Sequence, residues 1–203
     1  SRYRVFTIAF ILPSHAADRR ITMKYCSQCG QPLTLKIPAG DNRERHVCDH
    51  CGAIHYQNPR IIAGTLPVHG DRVLLCRRAI EPRLGYWTLP AGFMENGETT
   101  EQAAARETFE EAEAEVNIHG LYTVFNLPHI SQVYLFFRAD VIDGRHGTGT
   151  ESLESRLFEE HEIPWQELAF PTVARTLQYF FADRREGQFP VRVEDITAYQ
   201  RKP

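Results

Sequence analysis

From Pro59 onward the apolar positions fall into two rhythms. Arg60–His69 and Arg72–Arg77 are strand-like runs separated by the turn Gly70-Asp71, which predicts a β-hairpin. Gly85–Gly92, with Pro90 inside it, reads as a loop. Thr99 to about Glu113 predicts a helix: Thr99 and Gln102 have the spacing of a capping box, and Ala103–Ala105 favour helical backbone. Strands are expected at Leu121–Asn126 and Gln132–Ala139, with a glycine-rich loop over 143–150 and a short extended piece beginning at Leu157-Phe158. Val173, Leu177, Phe180 and Phe181 recur at helical spacing, predicting a second helix over Val173–Arg185; the tail from Gly187 carries no clear pattern. Residues 24–56 break these rhythms. They are polar and rich in Gly, Pro and His, so they cannot bury a core without a staple, and Asn58-Pro59 marks their joint with the rest of the chain.

At 203 residues the chain has room for one substantial domain and a small module. Residues 23–57 are read as the module, 58–203 as the main domain, and 1–22 as an upstream extension outside the core. In that extension Arg2 and Arg4 precede a short apolar run, Val5–Leu12, a poor match to a secretory signal, whereas Met23 directly precedes the first cysteine motif. No apolar run approaches the length of a membrane span. A net charge of −3 argues against broad affinity for nucleic acid or anionic membranes.

Five cysteines change the picture of the module. Cys26-Ser27-Gln28-Cys29 and Cys48-Asp49-His50-Cys51 stand 18 residues apart, inside the window for two zinc-binding knuckles. Two thiolates three positions apart on a tight turn can bite one ion, and two such turns close a tetrahedral shell around Zn²⁺. Gly30 and Gly52 come directly after the second cysteine of each pair, where the backbone must fold back on the metal. A closed shell leaves no position for substrate, so this zinc is read as structural; His46, His50 and His55 are read as surface residues. The pattern also favours a reducing, cytoplasmic setting. Cys76, inside an apolar run, reads as a small buried hydrophobe.

The acidic helix is the second site. Glu107, Glu110 and Glu111 are spaced i, i+3, i+4 and share one helical face, where like charges repel. Such packing makes sense if the hard oxygens bind Mg²⁺ or Mn²⁺; the bland alternative is a solvated acidic face. Arg106 is the only cation between Glu98 and Val116, against seven glutamates, and can pair with Glu98 to pin the preceding loop to the helix.

Gly92, Glu98, Arg106, Glu107, Glu110 and Glu111 fall on six positions of the Nudix signature, G-x₅-E-x₇-R-E-U-x-E-E-x-G-U, where U is bulky and aliphatic. The chain therefore resembles the Nudix hydrolases, here with an N-terminal zinc ribbon, over roughly residues 24–185. Tyr86-Trp87-Thr88-Leu89-Pro90-Ala91-Gly92 is similar to the family's approach to its helix. Three positions depart: Thr108 stands where an aliphatic residue is usual, Glu113 where a glycine would end the helix, and Ala114 where a larger residue is usual. The resemblance implies an α/β/α sandwich, Mg²⁺ ligands at Glu107 and Glu111 with Glu110 in support, a carbonyl ligand near Ala91 or Gly92, and a loop carboxylate at Glu151, with Glu154 the second choice. Tyr86, Trp87 and Phe93 are candidates to stack on a substrate base, each with packing as its plainer role. A homodimer is expected by resemblance only.

Within that family two groups compete. The NADH pyrophosphatases carry S-Q-P-W-P-F-P after the signature, and of this only Ser131-Gln132 survives here. Cys48 to Pro59, the run Leu74–Arg78, and Glu151–Phe158 are more similar to the plant plastid FAD and ADP-ribose pyrophosphatases. The expectation is thus Mg²⁺-dependent cleavage of a nucleoside diphosphate-linked substrate, FAD or ADP-ribose ahead of NADH, NAD⁺ or an RNA cap. The rival of another class is a ligand-sensing or nucleic-acid-binding protein on an inactive Nudix fold.

Overall fold

The structure is a computed structural model and describes residues 23–197; the expected 1–22 extension lies outside the described residues, as do 198–203. The chain forms two compact units divided between Gln57 and Asn58. The smaller holds a three-stranded antiparallel sheet of β1 (Thr34–Lys36), β2 (Arg45–Val47) and β3 (Ile54–His55). Its buried apolar residues are Cys26, Val47 and Cys48, which is too little to serve as a hydrophobic core.

The larger unit is built on an eight-stranded mixed sheet. Its strands are β4 (Arg60–His69), β5 (Arg72–Arg78), β6 (Trp87–Thr88), β7 (Ala91–Phe93), β8 (Val116–Leu127), β9 (Gln132–Val141), β10 (Ser152–Phe158) and β11 (Arg192–Asp195). The main path runs β10-β5-β4-β9-β8-β11, with β6 paired to β5 and β7 to β4. The β4–β9 and β8–β11 pairs are parallel and the rest antiparallel. The predicted hairpin is β4–β5, closing at His69↔Arg72 around Gly70. Strands β8, β9 and β10 are longer than predicted, the predicted loop before the helix contains β6 and β7, and β11 lies in the tail that showed no pattern.

Alternation along the strands sends side chains to opposite faces. On one face Leu66, Val68, Val73, Leu75, Tyr122, Phe125 and Phe136 pack with Val173, Leu177, Phe180 and Phe181 of α2 (Pro171–Glu186). On the other, Ala63, Leu74, Cys76, Phe137 and Val141 meet Ala103, Ala104 and Ala112 of α1 (Thr100–Ala112). This is the expected α/β/α sandwich. The α1 layer is packed with small alanines and the α2 layer with aromatic and aliphatic side chains.

The departures at Thr108 and Glu113 have local solutions, and Ala114 is fully buried in the layer beneath α1. Thr108 is fully buried and donates to the Ala104 carbonyl (2.7 Å), and Thr65 Oγ1 sits 2.6 Å from its hydroxyl oxygen. With the Thr108 proton committed to Ala104, Thr65 donates to Thr108, and neither hydroxyl is stranded. Glu113 adopts the left-handed conformation itself (φ 48°, ψ 31°), and its N–H donates to Phe109 O at 2.8 Å. Gly147 N–H and Gly149 N–H then donate to the carbonyls of Ala112 (2.6 Å) and Glu111 (3.1 Å), so the glycine-rich loop caps the helix end. The helix end is thus well defined without the usual glycine.

Candidate metal centre and active site

In the smaller unit the two knuckles are copies of one turn. Cys26 O accepts from Gly30 N–H and Cys48 O from Gly52 N–H, both at 2.9 Å, and both glycines have φ of +75°. That backbone region is costly for any residue with a Cβ. The four sulfurs of Cys26, Cys29, Cys48 and Cys51 lie within 4.8 Å of one another. Four thiols with little core around them fit a structural Zn²⁺. Asp49, between the second pair, is held by Thr34 (2.7 Å) and by Lys36, which ties the knuckle to β1.

In the larger unit the acidic site is assembled from α1, β7 and the loop before β10. Thr99 caps α1 in a reciprocal box with Gln102, which sets where the helical phase begins. Arg106 then gathers the cluster. Its guanidinium donates to Glu98 (2.5 and 3.0 Å), Glu107 (2.7 Å), Glu110 (3.0 Å) and the Phe93 carbonyl (3.1 Å). The predicted Arg106–Glu98 pin is present, and it holds the Glu98 carboxyl down at about 2. The Glu107 carboxylate lies over Gly92 of β7: a Cβ there would come within 2.2–2.5 Å of its atoms, so any larger residue would displace the carboxylate.

Glu111 is only 8% exposed, and its Oε2 has no hydrogen-bond partner. Burial first, and then the charge of Glu107, push its carboxyl up to about 8, while the Ala91 N–H and Arg78 pull it down. Burial also raises Glu107. The negative charge of Glu151, on the loop bonded to the end of α1, raises both as well. A buried carboxylate oxygen without a donor, in the field of two further carboxylates, is a poor arrangement for a bare protein and a good one for a hard divalent cation.

The remaining candidates are divided. Glu154 points toward Arg77, at 4.0 Å, rather than into the cluster. Trp87 is a core residue, buried edge-on to Phe158 at 4.8 Å, so packing occupies the ring that was a candidate to stack on a base. Tyr86 is half-buried with Arg83 over its ring at 5.3 Å. Phe93 is 46% exposed beside the cluster, with Arg60 over its ring at 5.4 Å. Sequence reasoning gave no role to Arg78, whose charge reaches Glu111 and Tyr134. It donates to Pro82 O (2.8 Å) and lies over Phe170 at 5.2 Å. Nothing local singles it out from Arg77, because its position depends on the pairing of β5 with β10.

Residues 24–57 match the family described as Nudix N-terminal, a zinc ribbon, and residues 58–192 match the NUDIX domain. The chain belongs to the Nudix hydrolases with an N-terminal zinc ribbon. It is similar to the NAD-capped RNA hydrolase NudC of Pseudomonas fluorescens (strain Pf0-1), at 32% identity over 193 residues, covering 91% of this chain and 64% of that protein. It is similar to the ADP-ribose pyrophosphatase of Methanocaldococcus jannaschii, at 31% identity over 121 residues, 57% of this chain and 69% of that one. The crystal structure of a NUDIX hydrolase from Nitrosomonas europaea matches with a TM-score of 0.84 and 52% identity, covering 87% of this chain and all of that one. The chain spans about half the length of the NudC relatives it matches, 45% of one and 58% of another.

Proposed function

We propose that this chain hydrolyses the pyrophosphate bond of a substrate built on an ADP-ribosyl group, releasing AMP. The observation that carries the reading is the buried, unpartnered Glu111 Oε2 in the field of Glu107 and Glu151. Glu107 and Glu111 would hold Mg²⁺ or Mn²⁺, with Glu151 and the Ala91 carbonyl completing the protein's share. A divalent ion bound there neutralises the diphosphate oxygens and favours attack by water at phosphorus. Glu151, on a loop rather than the helix, orients that water and accepts its proton. Arg106 fixes the rotamer of Glu107, and Glu110 balances Arg106 from the outer side. Phe93 offers an exposed ring edge to a base.

The substrate class comes from the relatives. Their names contain ADP-ribose and NAD-capped RNA, and the shared chemical element is an ADP-ribosyl group. Those names do not contain FAD, so support shifts from FAD toward ADP-ribose and NAD-type substrates. The charge-based argument against nucleic acid then concerns non-specific affinity only, since an RNA carrying an NAD cap would be selected through its cap.

The test is to incubate the zinc-loaded protein and Mg²⁺ with ADP-ribose, NADH, NAD⁺, FAD and a 5′-NAD-capped RNA, and to separate the products. AMP from ADP-ribose or NAD(H), lost in Glu111→Gln, is the expected result. Intact substrates throughout with either Mg²⁺ or Mn²⁺, or equal rates in the variant, would overturn it.

A further inference from the structure

We infer that His55 is a positioning residue of the zinc centre, donating a hydrogen bond from Nε2 to the sulfur of Cys26. The inference rests on the zinc reading of the four cysteines. His55 closes β3, opposite His46 of β2, and is half-buried there. Its Nε2 lies 3.3 Å from Cys26 Sγ, a normal N–H···S separation. The convergent ligand set is the four sulfurs, and His55 is outside it. It is therefore not a fifth ligand.

The direction of the bond is set by the chemistry of the acceptor. A thiolate bound to Zn²⁺ has no proton to give, so Nε2 must carry it and the imidazole must be the donor. Four thiolates around a dication leave two negative charges in excess, and donors directed at sulfur spread that charge. The backbone N–H of Gln28 also reaches Cys26 Sγ, at 3.4 Å. Cys26 thus receives a backbone donor and a side-chain donor together. It is buried, whereas its neighbour Cys51, with sulfur 3.7 Å away, is exposed. The structure therefore places an imidazole donor on a buried sulfur, where water cannot substitute for it.

The test uses the full zinc-loaded chain and measures the rate of Zn²⁺ transfer to a chromogenic chelator. His55→Leu removes the donor. His55→Gln keeps a nitrogen donor at nearly the reach of Nε2, and His55→Asn keeps one only at the reach of Nδ1. The expected order is slow release for wild type and His55→Gln, and release at least about tenfold faster for His55→Leu and His55→Asn. A His55→Leu rate equal to wild type would overturn the role. Equal acceleration in His55→Gln and His55→Leu would also overturn it, since packing rather than donation would then be at work. A wild-type protein that binds no zinc would overturn the zinc centre itself, and with it any role for His55.

Discussion

The two metal-type sites of this chain solve opposite problems. In the ribbon, every sulfur comes from one of two short turns whose backbone bonds close within five residues, as Cys26–Gln31 and Cys48–Ala53 do. In the hydrolase unit, Glu107 and Glu111 come from α1, the Ala91 amide from β7, and Glu151 from a loop some forty residues further on. The ribbon has almost no apolar interior, so its ligands must stand in for a core. The acidic site is the reverse, a cluster that the surrounding core forces together at a cost to stability. Ligation would therefore stabilise the first site by forming structure, and the second by relieving repulsion already built into structure.

The largest test of that contrast is to remove one ligand from each. Glu111→Gln should lower turnover by more than the ~10–100-fold typical of an outer-sphere partner, while leaving the unit folded. Cys48→Ser should abolish zinc retention and erase amide protection across residues 24–57. Hydrogen exchange with metal analysis would check both. A ribbon that stays protected without zinc, or a Glu111→Gln chain that unfolds, would break the comparison.

A smaller effect is the pH dependence of the metal-free protein. The Glu111 carboxyl sits at about 8, first because of burial and then because of Glu107, against an ordinary value of ~4.3. The folded chain thus holds this proton more tightly than the unfolded chain. The resulting stability is complete at low pH and is lost as pH rises through the folded value. Melting temperature without divalent ions should fall between about pH 5 and 8, and the Mg²⁺ needed for half-maximal activity should fall over the same interval as the ion displaces the proton. Glu111→Gln should flatten the melting slope and raise the melting temperature at pH 8. An unchanged slope in the variant would mean that repulsion at this site does not limit stability.

Next comes the pin. Arg106→Lys keeps the charge but cannot reach Glu98, Glu107, Glu110 and Phe93 O together, and should cost about 1–3 kcal/mol in transition-state stabilisation, read from kcat/KM. The smallest effect is expected at the helix end. Glu113→Gly removes a left-handed glutamate and should stabilise the unit by about 0.5–1 kcal/mol in urea titrations.

The same contrast explains how much of the molecule is legible in its sequence. The knuckles and the acidic helix are legible because their information is local: fixed spacings, a cap at Thr99, glycines where a turn needs them. Trp87 is ambiguous because an aromatic before Leu89-Pro90 serves a core or a ligand equally well, and only Phe158, far along the chain, decides. Glu151 and Glu154 are three residues apart, and a bulge between Ser152 and Glu154 in the β5–β10 register separates their surroundings. Strand β8 begins before its predicted start because bulges at Ile118/Gly120 and Leu121/Thr123 break its alternation. Strand β11 is short, with an exposed valine, and exists because β8 has an open parallel edge to receive it.

Gly149 carries a consequence beyond capping. A Cβ there would sit 1.7 Å from the Glu110 carbonyl oxygen, and its N–H bonds to the carbonyl of Glu111. The loop that delivers Glu151 is thus stitched to the backbone of the helix it serves, two residues before that carboxylate. Spacing between the acidic groups is inherited through main-chain bonds rather than through side-chain packing. An insertion between Gly149 and Glu151 would therefore shift that carboxylate relative to Glu107 and Glu111 while leaving the helix and its cap intact.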